Sequence, residues 1–203
     1  MEITIVFALI ILLFSIIIHE IAHGSVAYSL GDSTAKNSGR LTLNPIKHLD
    51  PVGSILLPVF LSILSLPIIG WAKPVPINPF NFNDQKWGEL KVSIAGPLAN
   101  FAIALIFGLA IMFISLPQSF LEIASLVIIY NIALGVFNLI PIPPLDGSHI
   151  LFSLLGERFN NIKKFLYQYG FFLLIFLVFS GGINWLFNFS YWVTSLFFKF
   201  SLV

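Results

Sequence analysis

From Ile3 to Ile18 the chain carries no charged residue, and the apolar run then leads directly into His19-Glu20-Ile21-Ala22-His23. Extended to about Leu30, this is enough helix to cross a bilayer. Inside lipid, backbone groups must satisfy one another, so a chain built from such runs is largely confined to helices. The pattern recurs along the sequence: 58% of the 203 residues are hydrophobic and only 9% are charged, which excludes an ordinary soluble domain. The expected fold is an all-α polytopic membrane protein of about five to six transmembrane helices. A re-entrant or extended segment, and a small β-hairpin or sheet, would lie near the functional site.

The two histidines are four residues apart. On a helix they share one face, about 6 Å apart along the axis, and can bind one zinc ion. Glu20 lies beside that face, where it can hold and deprotonate the water that zinc activates. This pattern points to hydrolysis, with peptide cleavage its usual use. The alternative, a polar helix face packed on a neighbour, is weak because ionisable groups inside a membrane are costly and usually functional.

A net charge of +1 gives no electrostatic case for nucleic acid. With no cysteines there are no thiolate metal sites, so zinc has to use His, Asp or Glu. The first run lacks a basic leader region and contains the metal motif, so it is expected to be retained.

Gly31-Asp32 ends the first span. Arg40-Leu41-Thr42-Leu43-Asn44-Pro45 is a candidate short strand. His48 and Asp50 read as loop and helix-start residues rather than ligands. Residues 51–69 are apolar but hold Pro58 and Pro67. Gly70-Trp71-Ala72-Lys73-Pro74-Val75-Pro76 forbids a helix and favours extended backbone, including an edge strand. In the span 91–115, Gly96 and Asn100 share a face that allows close helix approach. In the span 120–139, Asn131, Gly135 and Asn138 form one polar stripe that turns inward. Asn131 and Asn138 are candidates to line a water path. Prolines 141, 143 and 144 then unwind the chain and present Asp146. Residues 165–180 and 183–200 are two further apolar segments, the second polar enough to lie flat.

A catalytic zinc needs a third protein ligand. Asp146, His149, His48, Asp50 and Glu122 are candidates. Asp146 is best placed, the alternative being an N-cap for a helix beginning near Ser148.

H-E-x-x-H in a membrane helix, followed by N-x-x-P-x-x-P-L-D-G at 138–147, resembles the site-2 protease family of intramembrane zinc metalloproteases. The resemblance implies that Asp146 is the third ligand of one catalytic Zn2+, with His19 and His23, and that Glu20 is the catalytic base. It implicates Asn138 in holding substrate or the oxyanion. Gly96-Pro97-Leu98-Ala99-Asn100 and Gly70 to Pro76 resemble the short prokaryotic branch, which has neither PDZ nor CBS domains. The likeness covers most of residues 15–155 and suggests one integral membrane domain over 1–203, with a catalytic core at about 1–155 and C-terminal helices at about 165–200. The implied partners are single-pass or short transmembrane protein substrates and the lipid bilayer. Val75 and Ile77, in the extended segment, would pair with an unwound substrate by strand addition.

Ligands must meet at one depth, so an even number of spans must separate His23 from Asp146. Stretch 51–69 is therefore expected to re-enter rather than cross, or 70–80 to dip back. Loops 31–50, 70–91 and 141–164 each carry three Lys or Arg, and 116–119 carries none. The positive-inside rule then puts the N-terminus outside, the C-terminus inside and the zinc towards the cytoplasmic side of the cell membrane. The rival readings are a proton or metal transporter, a zinc scaffold closed by His149, and an inactive protease that binds transmembrane helices.

Overall fold

The computed structural model describes residues 2–56, 59, 60, 63, 72–155 and 159–199. Helix α1 runs Glu2–Ser29, and α2 is the single turn Thr34–Asn37. Helices α3 (Gly88–Phe113) and α4 (Gln118–Asn138) follow, then the short α5 (Asp146–Leu154), α6 (Asn160–Leu177) and α7 (Ile183–Lys199). Four stretches are long and apolar enough to cross a membrane: Val6–Ser29, Gly88–Phe113, Gln118–Asn138 and Asn160–Lys199. The last is 40 residues long and comprises α6 and α7, divided where Gly181 takes φ +93°. This is a multi-pass membrane protein. Its outward faces are apolar, with Leu9 61% and Phe176 72% exposed, as a lipid-facing surface requires.

Between His23 and Asp146 the described residues hold two long apolar helices, α3 and α4, joined by the short connection 114–117. The expected re-entrant stretch 51–69 lies largely outside the described residues. Of it, Pro51–Leu56 forms a π-helical turn. Gly70 and Trp71 also lie outside.

No strand occurs among the described residues, so the small sheet or hairpin is not found there. The candidate strand at 40–45 is instead a bend leading into the 3-10 turn Pro45–His48. The cause is local. Asn44 accepts a hydrogen bond from Ile46 N at 3.1 Å, and Pro45 has no N–H for a ladder. Segment 72–78 is free of helix and turn, and Asn78 is extended at φ −117°, ψ 101°. It runs as a single strap with no strand beside it among the described residues.

Association of helices in lipid relies on close packing rather than on the hydrophobic effect. Ala104 and Ile111 of α3 meet Ala124, Ile128 and Ile132 of α4, and Phe189, Val193 and Phe197 of α7 pack on this cluster. So α7 runs along α3 and α4 as part of the bundle. Helix α1 also packs against both α3 and α4. Helix α3 continues through Pro97 without a break.

Candidate active site

His19 and His23 face α3 and are 5% and 6% exposed. Their rings meet edge to face, with Nε2 atoms 3.1 Å apart. Gly96 is the reason they fit. A Cβ at that position would lie 2.4 Å from His23 Nε2 and 2.6 Å from His19 Nε2. The small-residue face of α3 seen in the sequence is therefore the wall of this site.

Asp146 is the first residue of α5, delivered there by the proline-rich segment after α4. Its Oδ2 lies 3.0 Å from His19 Nε2 and 3.2 Å from His23 Nε2. The alternative role, capping a helix near Ser148, is not taken up. The helix begins at Asp146 itself, with Leu145 in the cap position and no side-chain cap.

Hydrogen bonds fix which ring nitrogens carry protons. His23 Nδ1 donates to the Val92 carbonyl at 2.7 Å, and His19 Nδ1 donates to Asn100 Oδ1 at 2.6 Å. In neutral rings both Nε2 atoms then present lone pairs. Two such lone pairs and a carboxylate oxygen converge, and Asp146 Oδ2 is buried with no hydrogen bond. Unshared acceptors do not gather this closely without a cation. Zinc with bonds of about 2.0–2.2 Å holds tetrahedral ligand atoms roughly 3.3 Å apart, close to the spacing found. The donor set fits zinc.

Glu20 lines the same cavity, about 380 Å³ in volume, and its Oε2 accepts the backbone N–H of Val75 at 2.7 Å. Val75 and Ile77 line it too, as does Asn138, whose Nδ2 donates to Leu134 O at 3.0 Å. Asn131 does not line it. It is fully buried and engaged in hydrogen bonds, so it is no part of a water path.

The strap is tied down at both ends. Lys73 N donates to His48 O at 2.9 Å, and Arg40 donates to the carbonyls of Lys73 and Pro74. At the other end Asp32 accepts from Asn78 N and Asn81 Nδ2, each at 2.8 Å. Burial works to raise the Asp32 pKa, but bonds from Asn78, Thr34 and Asn81 leave it lowered. His48 and Asp50 keep to the loop, as their sequence context suggested. His48 Nε2 donates to Thr42 O at 2.8 Å, and Asp50 accepts from Val52 N and Gly53 N. Glu122 lies against a separate cavity beside Phe198. His149 borders the site but pairs with Glu89 at 3.0 Å, which raises its pKa, and it is not among the converging ligand atoms.

Sequence reading missed Val92, Arg40, Asp32 and Glu89. Val92 contributes a backbone carbonyl, which leaves no side-chain signature. A signal existed for Asp32 and Arg40, since they are charged residues in a chain with few.

The family model for Peptidase family M50 matches residues 115–177. YwhC of Bacillus subtilis, named as a candidate zinc metalloprotease, is 40% identical over 187 residues, which span 87% of this chain and 82% of that protein. Rip2 of Mycolicibacterium smegmatis, named likewise, is 33% identical over 198 residues, 93% of this chain and 71% of its own. The zinc metalloprotease MJ0392 of Methanocaldococcus jannaschii is 31% identical over 157 residues, 77% of this chain and 37% of its own. No solved structure matches.

Proposed function

The chain belongs to peptidase family M50 and is a zinc metalloendopeptidase of the site-2 type, and from that premise we propose that it cuts membrane-protein substrates at peptide bonds in or beside a transmembrane helix. In this reading His19, His23 and Asp146 hold the zinc, and Glu20 is the base. Zinc, when bound, supplies Lewis acidity.

The remaining steps belong to the protein's own groups. Glu20 Oε2 is tied to Val75 N–H, which leaves Oε1 to take a proton from the attacking water. The water oxygen bonds to the scissile carbonyl carbon, the C–N bond breaks, and Glu20 returns the proton to the leaving amine. Asn138, on the cavity wall, holds substrate or the oxyanion.

A substrate helix hides its backbone in internal bonds and must unwind to be cut. The strap offers it replacement bonds. Alternate residues of an extended chain present their N–H and C=O to the same edge. Pro74 and Pro76 fall on one edge and need no N–H there. Val75 and Ile77 fall on the other, where Glu20 lies. Val75 N–H is taken by Glu20, and among the described residues no hydrogen bond engages Ile77 N–H, Ile77 C=O or Val75 C=O, which leaves them to pair with an incoming strand.

One observation carries the reading: the Asp146 carboxylate lies within 3.2 Å of both imidazoles, with Glu20 on the same cavity. The test uses purified protein with single-pass substrates in liposomes, comparing wild type, Glu20→Gln and a zinc chelator. Cleavage mapped inside the substrate's apolar segment, and lost in both other arms, supports it. Zinc-dependent cutting of soluble peptides alone would restrict the enzyme to sites outside the bilayer.

The basic loops give the orientation we favour: N-terminus out, C-terminus in, site towards the cytoplasm. Because the chain has no cysteine, Lys73→Cys and Lys86→Cys report it cleanly. Labelling from outside the cell would refute it. We treat residues 1–203 as one integral membrane domain, with α6 and α7 completing the core.

A further inference from the structure

Behind His19 the bundle buries three small polar side chains from three helices: Ser15 (3% exposed) on α1, Asn100 (0%) on α3 and Asn131 (0%) on α4. Ser15 precedes His19 by one helical turn and so shares its face. Each group is bonded. Asn100 Oδ1 accepts from His19 Nδ1 at 2.6 Å, and its Nδ2 donates to Asn131 Oδ1 at 2.9 Å and to Ser15 O at 3.3 Å. Asn131 Nδ2 donates to Ser15 Oγ at 2.9 Å and to Val127 O at 2.8 Å. Ser15 Oγ donates in turn to Ile11 O at 2.8 Å.

The chain has one possible direction. Val127 O is a backbone carbonyl and can only accept, so the amide nitrogen of Asn131 must face it. Asn131 Oδ1 must then face Asn100, whose nitrogen must face back. Asn100 Oδ1 is left towards His19, which must answer with a proton on Nδ1. Reversing either amide sets carbonyl oxygen against carbonyl oxygen in a buried, low-dielectric place, a costly arrangement. His23 needs no such relay, because Val92 O faces its Nδ1 directly.

We propose that Asn131 and Asn100 are positioning residues for the metal centre: anchored on the Val127 carbonyl, they hold His19 as the Nδ1–H tautomer, with the Nε2 lone pair aimed at the zinc. The inference rests on His19 being a zinc ligand. It assigns control of one ligand to a residue of α4 that does not touch the ring. It also accounts for the inward polar stripe of α4, because Asn131 orients a histidine where Asn138 meets the cavity.

The experiment reads the histidine tautomers directly. Protein with 15N-labelled histidine is purified in micelles, and the Nδ1 and Nε2 signals of His19 and His23 are recorded without metal. Zinc affinity is measured by chelator competition. In Asn131→Leu, His19 is expected to show mixed tautomers while His23 keeps Nδ1–H, and zinc affinity falls roughly 10- to 100-fold, the usual cost of losing an outer-shell partner. General damage to the fold would disturb both rings. Should Asn131→Leu fail to fold, Asn100→Ala, which removes bulk instead of burying an apolar branch, is expected to give the same selective change. His19 fixed as Nδ1–H with affinity within about threefold of wild type, in a folded variant, would overturn the proposal. His19→Ala separates the two claims. Zinc binding that survives it refutes the ligand assignment, whereas zinc binding lost there but unmoved in Asn131→Leu refutes only the relay.

Discussion

Glu20 Oε2 and the backbone nitrogen of Val75 are 2.7 Å apart across 55 positions of sequence, so the proposed base and the strap are bonded to each other. Val75→Pro removes that N–H while leaving φ in the range an extended chain uses. A hydrogen bond to a charged group contributes about 1.5–3 kcal/mol, so cleavage should fall roughly 10- to 100-fold with zinc still bound. Val75→Ala keeps the N–H and should lose far less. Equal loss in both variants, measured as kcat/KM on one substrate, would mean that the side chain and not the backbone matters.

Ile77→Pro tests the other half of the strap. Among the described residues no group accepts a hydrogen bond from Ile77 N–H, and Glu20 does not depend on it, so the change should raise KM for a transmembrane substrate and spare zinc content. Unaltered KM would remove Ile77 from the pairing edge.

Gly96→Ala should act on the metal. A Cβ there would lie 2.4 Å from His23 Nε2 and 2.6 Å from His19 Nε2. Alanine normally favours a helix over glycine by about 1 kcal/mol, so the helix itself gains. Zinc affinity is expected to drop more than about 100-fold, a loss of nearly 3 kcal/mol on the usual conversion. Zinc content after dialysis and a thermal melt, taken together, distinguish this from simple unfolding.

Much of this arrangement was legible beforehand, and the part that was not has physical reasons. Uncharged runs reveal spans because lipid permits few other sequences, and paired histidines one turn apart reveal a metal because the helix fixes their spacing. Asp146 is the best placed candidate because the prolines before it break the chain just after a polar helix face, but a helix cap there is also compatible with the residues, and only the family motif makes it the ligand. The helical stripe turns Asn131 inward, but the sequence does not name its partner. Its bond to Asn100 is set by how α3 and α4 settle against each other, which a list of residues does not state. The strand expected at 40–45 failed for a related reason. Arg40 is spent on the carbonyls of Lys73 and Pro74, 33 and 34 positions away, and Asn44, itself extended, caps the turn that begins at Pro45.

Asp32 gives a dependence on pH. Its pKa is lowered from 3.8 in the folded protein, so its contribution is complete above that value and is lost as the pH falls through the lowered one. Asp32→Ala should destabilise the docked strap by roughly 2–3 kcal/mol at pH 7. Melting in micelles should then converge for wild type and variant as the pH drops below 3.8. A gap that persists unchanged at low pH would rule out the carboxylate as the clasp.

Zinc K-edge absorption on the purified protein tests the shared metal site most directly. Wild type should hold one zinc per chain with two imidazoles and oxygen ligands, and Asp146→Ala should lose most of the metal at equal protein concentration. A variant that kept its full zinc complement with an unchanged spectrum would contradict the assignment of Asp146, His19 and His23 to one ion.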